Sequence, residues 1–170
     1  MQTQAVIEHI VRWLHDYAGQ ARVKGFIVGI SGGIDSAVVS ALAARTGLDV
    51  LLLEMPIRQQ AEQIDRAQQH IADLQSRFAN VRSLHVDLTP AFNLFADTVD
   101  VNEAEYPAKQ LALANSRARL RMLTLYYYGQ INGLLVTGTG NKIEDFGVGF
   151  FTKYGDGGGY SSPIADLTKT

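Results

Sequence analysis

Apolar positions along the chain alternate between two periods. Val6, Ile10, Trp13, Leu14 and Tyr17 recur every three or four residues, the spacing of one face of an amphipathic helix, with Gly19 as its expected stop. Phe26-Ile27-Val28-Gly29-Ile30 is a short unbroken apolar run, the pattern of a buried strand. A glycine turn follows, and Ala37 to Arg45 reads as a helix closed by Gly47. The alternation then repeats. Asp49 to Met55 predicts a second buried strand ended by Pro56, and Gln60 to Phe78 puts Ile64, Ala67, Ile71 and Leu74 on one helical face. Val81 to Leu88 predicts a third strand, Pro107 to Tyr128 a long helix, and Gly133 to Thr139 a fourth strand. Such alternation predicts an α/β fold, a doubly wound parallel sheet with helices on both faces. From Asn141 to Ser162 the periodicity stops, and Gly, Asp, Lys and aromatic residues dominate. A loop that long in a compact domain is typically functional.

Composition narrows the class. With 170 residues, 46% of them hydrophobic and 19% charged, the chain reads as a single globular domain over 1–170 with a buried core. A net charge of −2 supplies no general basic field for nucleic acid, although Arg117, Arg119 and Arg121 cluster locally. The absence of cysteine excludes disulfides, thiolate metal sites and a cysteine nucleophile within this chain. Nothing resembles a leader or a membrane span, so the expectation is a cytoplasmic protein with neither membrane nor nucleic-acid partner.

Chemistry concentrates in three segments. Ser31-Gly32-Gly33-Ile34-Asp35-Ser36 lies between a buried strand and a helix, where ligands gather in parallel sheets. Glycines let the backbone approach an anion, and the helix N-terminus offers N–H groups and a favourable dipole. Asp35 would repel a bare phosphate but suits a Mg²⁺ ligand beside one. The same residues also fit an ordinary glycine turn with Asp35 capping the helix, and the residues alone leave both readings open. In Asn115-Ser116-Arg117-Ala118-Arg119-Leu120-Arg121, Asn115 and Arg119 share a helical face, as do Arg117 and Arg121. Those guanidinium pairs fit phosphates or carboxylates, or simply a solvated basic face. Third, Gly138-Thr139-Gly140-Asn141-Lys142-Ile143-Glu144-Asp145 follows the fourth strand. It would place Thr139 on the sheet edge of Ser31 and let Glu144 share a cation with Asp35, although Glu144 alone also fits a surface carboxylate and Asp156-Gly157 an ordinary turn.

Ser31 to Ser36 resembles the SGGxDS loop of the N-type ATP pyrophosphatases, which adenylylate a substrate and release pyrophosphate. The three segments in this order, together with Gly149-Phe150-Phe151-Thr152-Lys153-Tyr154-Gly155-Asp156-Gly157-Gly158, resemble ammonia-dependent NAD synthetases from Tyr17 to Lys169. The resemblance implies an adenine nucleotide alpha hydrolase-like fold and ATP-dependent amidation of deamido-NAD by ammonia through an acyl adenylate. It implies an ATP phosphate site at Gly29, Ile30, Ser31, Gly32, Gly33, Ile34, Asp35 and Ser36, with Thr139 and Lys169 as further ATP contacts. Asp35 and Glu144 correspond to Mg²⁺ ligands. Arg119 and Lys153 correspond to dinucleotide-binding positions, with Asn115, Asp156 and Tyr17 as further candidates. Asp35, Lys153 and Lys169 are the expected catalytic groups, and a homodimer is the expected assembly. Two features depart from the family pattern. Tyr160 stands where many members carry a substrate-binding Asp, and the family continues beyond the position of Lys169, so the chain reads as C-terminally incomplete. The alternatives are a nucleotide-binding module without catalysis and another adenylating pyrophosphatase.

Overall fold

The computed structural model describes residues 2–99, 108–147, 149 and 151–168. Its elements in chain order are α1 (Thr3–Ala21), β1 (Gly25–Ile30), α2 (Ile34–Ala44), β2 (Asp49–Glu54), α3 (Ala61–Arg77), β3 (Val81–His85), α4 (Thr89–Val99), α5 (Lys109–Asn132) and β4 (Leu134–Val136). The four strands form one sheet in the order β3-β2-β1-β4, and every pairing is parallel.

Side-chain alternation along β1 and β2 divides the core in two. Phe26, Val28, Ile30, Val50 and Leu52 face Leu14 of α1, Val39 of α2 and Leu74 of α3. Ile27, Leu51 and Leu53 face Phe92 of α4 together with Met122 and Leu125 of α5. Strands buried on both faces explain why their sequences read as continuous apolar runs. The predicted doubly wound sheet is therefore the observed one. The chain winds outward through β2 and β3, then crosses back to place β4 on the other side of β1. That reversal opens a crevice at the carboxyl ends of β1 and β4.

Several boundaries differ from those the periodicity predicted. Helix α1 passes through Gly19 and ends at Ala21, where Arg22 takes the left-handed conformation (φ 56°). Helix α5 continues past Tyr128 to Asn132, closed by Gly133, while Pro107, its expected start, lies outside the described residues. The third strand ends at His85, and α4 follows it although the hydrophobic pattern gave no hint of it. Its start is written in capping chemistry: Asp87 Oδ1 accepts from Thr89 N at 2.8 Å, and Pro90 occupies the first turn. The segment after β4 contains a single π-helical turn (Ile143–Gly147) and a 3₁₀ turn (Asp156–Gly158). Among the described residues no helix is long and apolar enough to cross a membrane.

Candidate functional site

The crevice is a cleft of about 780 Å³. It is floored by Gly29 to Gly33, Asp35 and Ser36, which carry the chain from β1 into α2. The loop holds its shape through its two serines. Ser36 Oγ donates to Gly33 O at 3.0 Å and accepts from Ser31 N at 3.3 Å, and Gly33 N donates to Ser31 Oγ at 3.3 Å. Gly32 sits at φ +77°, and a Cβ there would collide with the carbonyl oxygen of Gln63. The start of α3 thus packs directly on the loop backbone. Gln59 Nε2 donates to Ser31 O (3.1 Å) and Arg66 Nε to Gly32 O (3.3 Å), which holds both loop carbonyls in place. Asp35 does not cap α2: Gly33 occupies the cap position, and Asp35 is the second helical residue.

Charge in the cleft is divided by origin. Arg58 and Arg66 reach it from the β2–α3 side, and Arg117 and Arg121 from α5. Asp35 of α2, Glu144 and Asp145 of the π turn and Asp156 of the 3₁₀ turn line the rest, with Thr139, expected inside the fourth strand, three residues beyond the end of β4 at Val136. Burial, and then the neighbouring Arg117, pull the Arg121 guanidinium below its ordinary range. Burial, then Asp156 and Glu144, push the Asp145 carboxyl above its ordinary value. Both shifts come first from burial and only then from a neighbouring like charge, and both disfavour the charged form. Arg58 and Arg117 also lie over the ring of buried Phe92, 5.8 and 5.6 Å from its centroid, so α4 helps to aim them.

Only some of the sequence-predicted residues therefore meet at the cleft. The loop Gly29 to Ser36, Thr139, Glu144 and Asp156 come together at the cleft, except that Ile34 is exposed and points away from its lining. Arg119, Lys153 and Asn115 are not part of that lining. They pin the 152–156 turn to α5: Arg119 Nε donates to Lys153 O (3.1 Å), Thr152 Oγ1 to Asn115 Oδ1 (2.8 Å), and Thr152 N to Asp156 Oδ1 (2.8 Å). The Lys153 ammonium lies over the Tyr154 ring, 5.1 Å from its centroid. Tyr17 sits on α1, stacked on Trp13, with its hydroxyl 3.5 Å from Tyr160 O. Lys169 lies outside the described residues. The sequence reading missed Arg58 and Arg66, and did not select Arg117 or Arg121 over Arg119. At 100° per residue, positions 117 and 121 share a face from which 119 is turned away, and only packing shows which face looks into the cleft.

The β1–α2 loop and the carboxylates that follow β4 thus line one cleft. The model of the NAD synthase family matches residues 6–170. The chain belongs to the NAD synthase family. Among curated relatives, the NH₃-dependent NAD⁺ synthetase of Mesoplasma florum is 35% identical over 99% of the chain and 66% of the relative. That of Mycoplasma genitalium is 39% identical over 96% of the chain and 63% of the relative. The chain thus spans about two thirds of the length of these NAD synthases or slightly less. Among solved structures, an NMN synthetase from Francisella tularensis superimposes with a TM-score of 0.88 at 33% identity, covering 99% of this chain and 67% of that one. An NH₃-dependent NAD synthetase from Campylobacter jejuni gives 0.86 at 30% identity, covering 99% and 69%.

Proposed function

We propose that this chain carries the ATP-cleaving centre of an ammonia-dependent NAD synthetase. The observation that supports it most directly is the Ser31–Ser36 loop sharing one cleft with Asp35, Glu144 and four arginines. Exposed N–H groups at the start of α2 suit the β- and γ-phosphates of ATP. Arg58, Arg66, Arg117 and Arg121 suit the remaining phosphate charge of ATP and of the second nucleotide.

Asp35 and Glu144 are the residues that would hold Mg²⁺. The donor set fits, because it consists of carboxylate oxygens beside a phosphate loop. Among the described residues no three His, Cys, Asp or Glu side chains form a metal cluster, so a cation on this pair would need phosphate and water oxygens to complete its shell. When bound, Mg²⁺ supplies positive charge against the leaving pyrophosphate.

The chemistry is a two-step amide synthesis. The nicotinate carboxylate of deamido-NAD attacks the α-phosphorus of ATP, the α–β bridging bond breaks, and pyrophosphate leaves. Ammonia then attacks the acyl carbon, and AMP departs with the bonding pair. The chain contains no cysteine with which to open glutamine, so within it the nitrogen enters as ammonia. Its residues act by positioning and by charge. The loop holds the triphosphate, while Arg119, Asn115 and Asp156 hold the 152–156 turn so that Lys153 can meet the dinucleotide. Lys169 would be a further ATP contact. This activity belongs in the cytoplasm, and a homodimer is the assembly we propose for it.

The Francisella relative, an NMN synthetase, favours one second reading, amidation of the corresponding mononucleotide. Tyr160 in place of a dinucleotide-contacting Asp agrees with it. One experiment separates the readings. The purified chain is given MgATP, ammonium and either deamido-NAD or nicotinate mononucleotide, and AMP, pyrophosphate and amide product are followed together by mass spectrometry. Equal AMP and NAD, reduced roughly 10²-fold or more by Asp35→Ala, is the expected result. Turnover of the mononucleotide alone would establish the second reading. MgATP binding without AMP would reduce the chain to a nucleotide-binding module.

A further inference from the structure

Asn141 is 2% exposed, yet its side chain makes three hydrogen bonds. Its Oδ1 accepts from the backbone N–H groups of Ile143 (3.0 Å) and Glu144 (3.1 Å). Two N–H donors on one atom identify that atom as the oxygen, which leaves Nδ2 to donate to Asp35 Oδ1 at 3.3 Å. A single carboxamide therefore joins the carboxylate at the start of α2 to the backbone of the turn that carries Glu144, across 106 residues of chain. The neighbouring glycine belongs to the same arrangement: a Cβ on Gly140 would overlap the Asp145 carboxylate.

We infer that Asn141 is a positioning residue, setting the separation of Asp35 and Glu144 for a divalent cation that the pair would share with the phosphates of ATP. This rests on the reading of Asp35 and Glu144 as the cation's ligands. A buried amide suits the task because it donates to one carboxylate and accepts at the backbone of the other without adding charge between them. An acid at this position would still accept from the two N–H groups, but it would repel Asp35. A serine would cap the turn but could not reach.

The test is calorimetric titration of ATP, with Mg²⁺ and with EDTA, into the parent chain, Asn141→Asp, Asn141→Ser and Asp35→Ala, each checked by thermal melting. Both Asn141 variants should melt below the parent, as expected when a buried hydrogen bond is lost, yet stay folded at the titration temperature and bind metal-free ATP as the parent does. They should lose about 10–100-fold of the affinity that Mg²⁺ adds, the range seen when a group orienting a metal ligand is removed. An unchanged or larger Mg²⁺-dependent gain in both variants would overturn the inference. So would an equal fall with and without Mg²⁺, which marks a purely structural cap. If instead the parent binds ATP no better with Mg²⁺, or Asp35→Ala matches the parent, the cation-ligand reading itself fails and the inference falls with it.

Discussion

The Nε of Arg121 donates to the carbonyl oxygen of Met55 at 3.0 Å, tying the middle of α5 to the chain as it leaves β2. Arg121 lines the cleft alongside Arg117, so one side chain both closes a backbone hydrogen bond and presents charge to a ligand. Arg121→Ala leaves that carbonyl without this partner, and a loss of about 1–3 kcal/mol of stability is expected. MgATP affinity should fall as well. Arg121→Lys keeps the charge but not the planar fork, so it should restore little of either. Chemical denaturation and calorimetric titration of the two variants check this.

Gly32 and Gly47 share almost the same positive φ, +77° and +76°, in different surroundings. A Cβ on Gly47 meets nothing within 4 Å, whereas one on Gly32 strikes the Gln63 carbonyl. Gly47→Ala should therefore cost only the left-handed strain, about 1–2 kcal/mol, and leave ATP binding intact. Gly32→Ala should cost more and also displace the loop from the start of α3, abolishing MgATP binding. Melting and titration of both variants separate strain from collision.

Burial lowers the pKa of His70 from 6.5, with Asp73 opposing and Arg77 assisting, and Ser40 Oγ lies 2.7 Å from its Nε2. A base with a depressed folded-state pKa binds protons more readily when unfolded. Its stability contribution is thus complete above pH 6.5 and is lost as pH falls through the lower folded value. His70→Gln can still bond to Ser40 but cannot take up that proton, so its melting temperature should decline less between pH 7 and pH 5.5. Equal slopes for parent and variant would show that His70 does not govern this window.

Leu123, Tyr127 and Ile131, four residues apart, form one exposed stripe of α5, at 67%, 60% and 61% exposure, and Leu94 and Phe95 of α4 are exposed as well. An exposed apolar stripe of this kind suits a subunit interface. Sedimentation at micromolar concentration should find the parent dimeric and Tyr127→Glu monomeric. A monomeric parent would sink the proposed homodimer.

The sequence by itself determined the layers, the order of most elements and the glycine loop between β1 and α2. Those follow from local rules: period-two and period-3.6 burial, and glycines between a strand and a helix. Helix α4 escaped because its signal is a cap at Asp87–Pro90 rather than periodicity. The end of β2 shows another limit, since Leu51-Leu52-Leu53-Glu54 reads as a strand but cannot reveal that Glu54 is buried and paired with His85 Nδ1 at 2.8 Å.

Only the tertiary structure decided which charges meet. Asp35 and Asn141 lie 106 residues apart, and their contact exists because the crossover after β3 returns β4 to the side of β1. The same packing turned Arg117 and Arg121 into the cleft and Arg119 onto the 152–156 turn. A helix's own period fixes which residues share a face. The partner against which that face packs is a property of the whole chain.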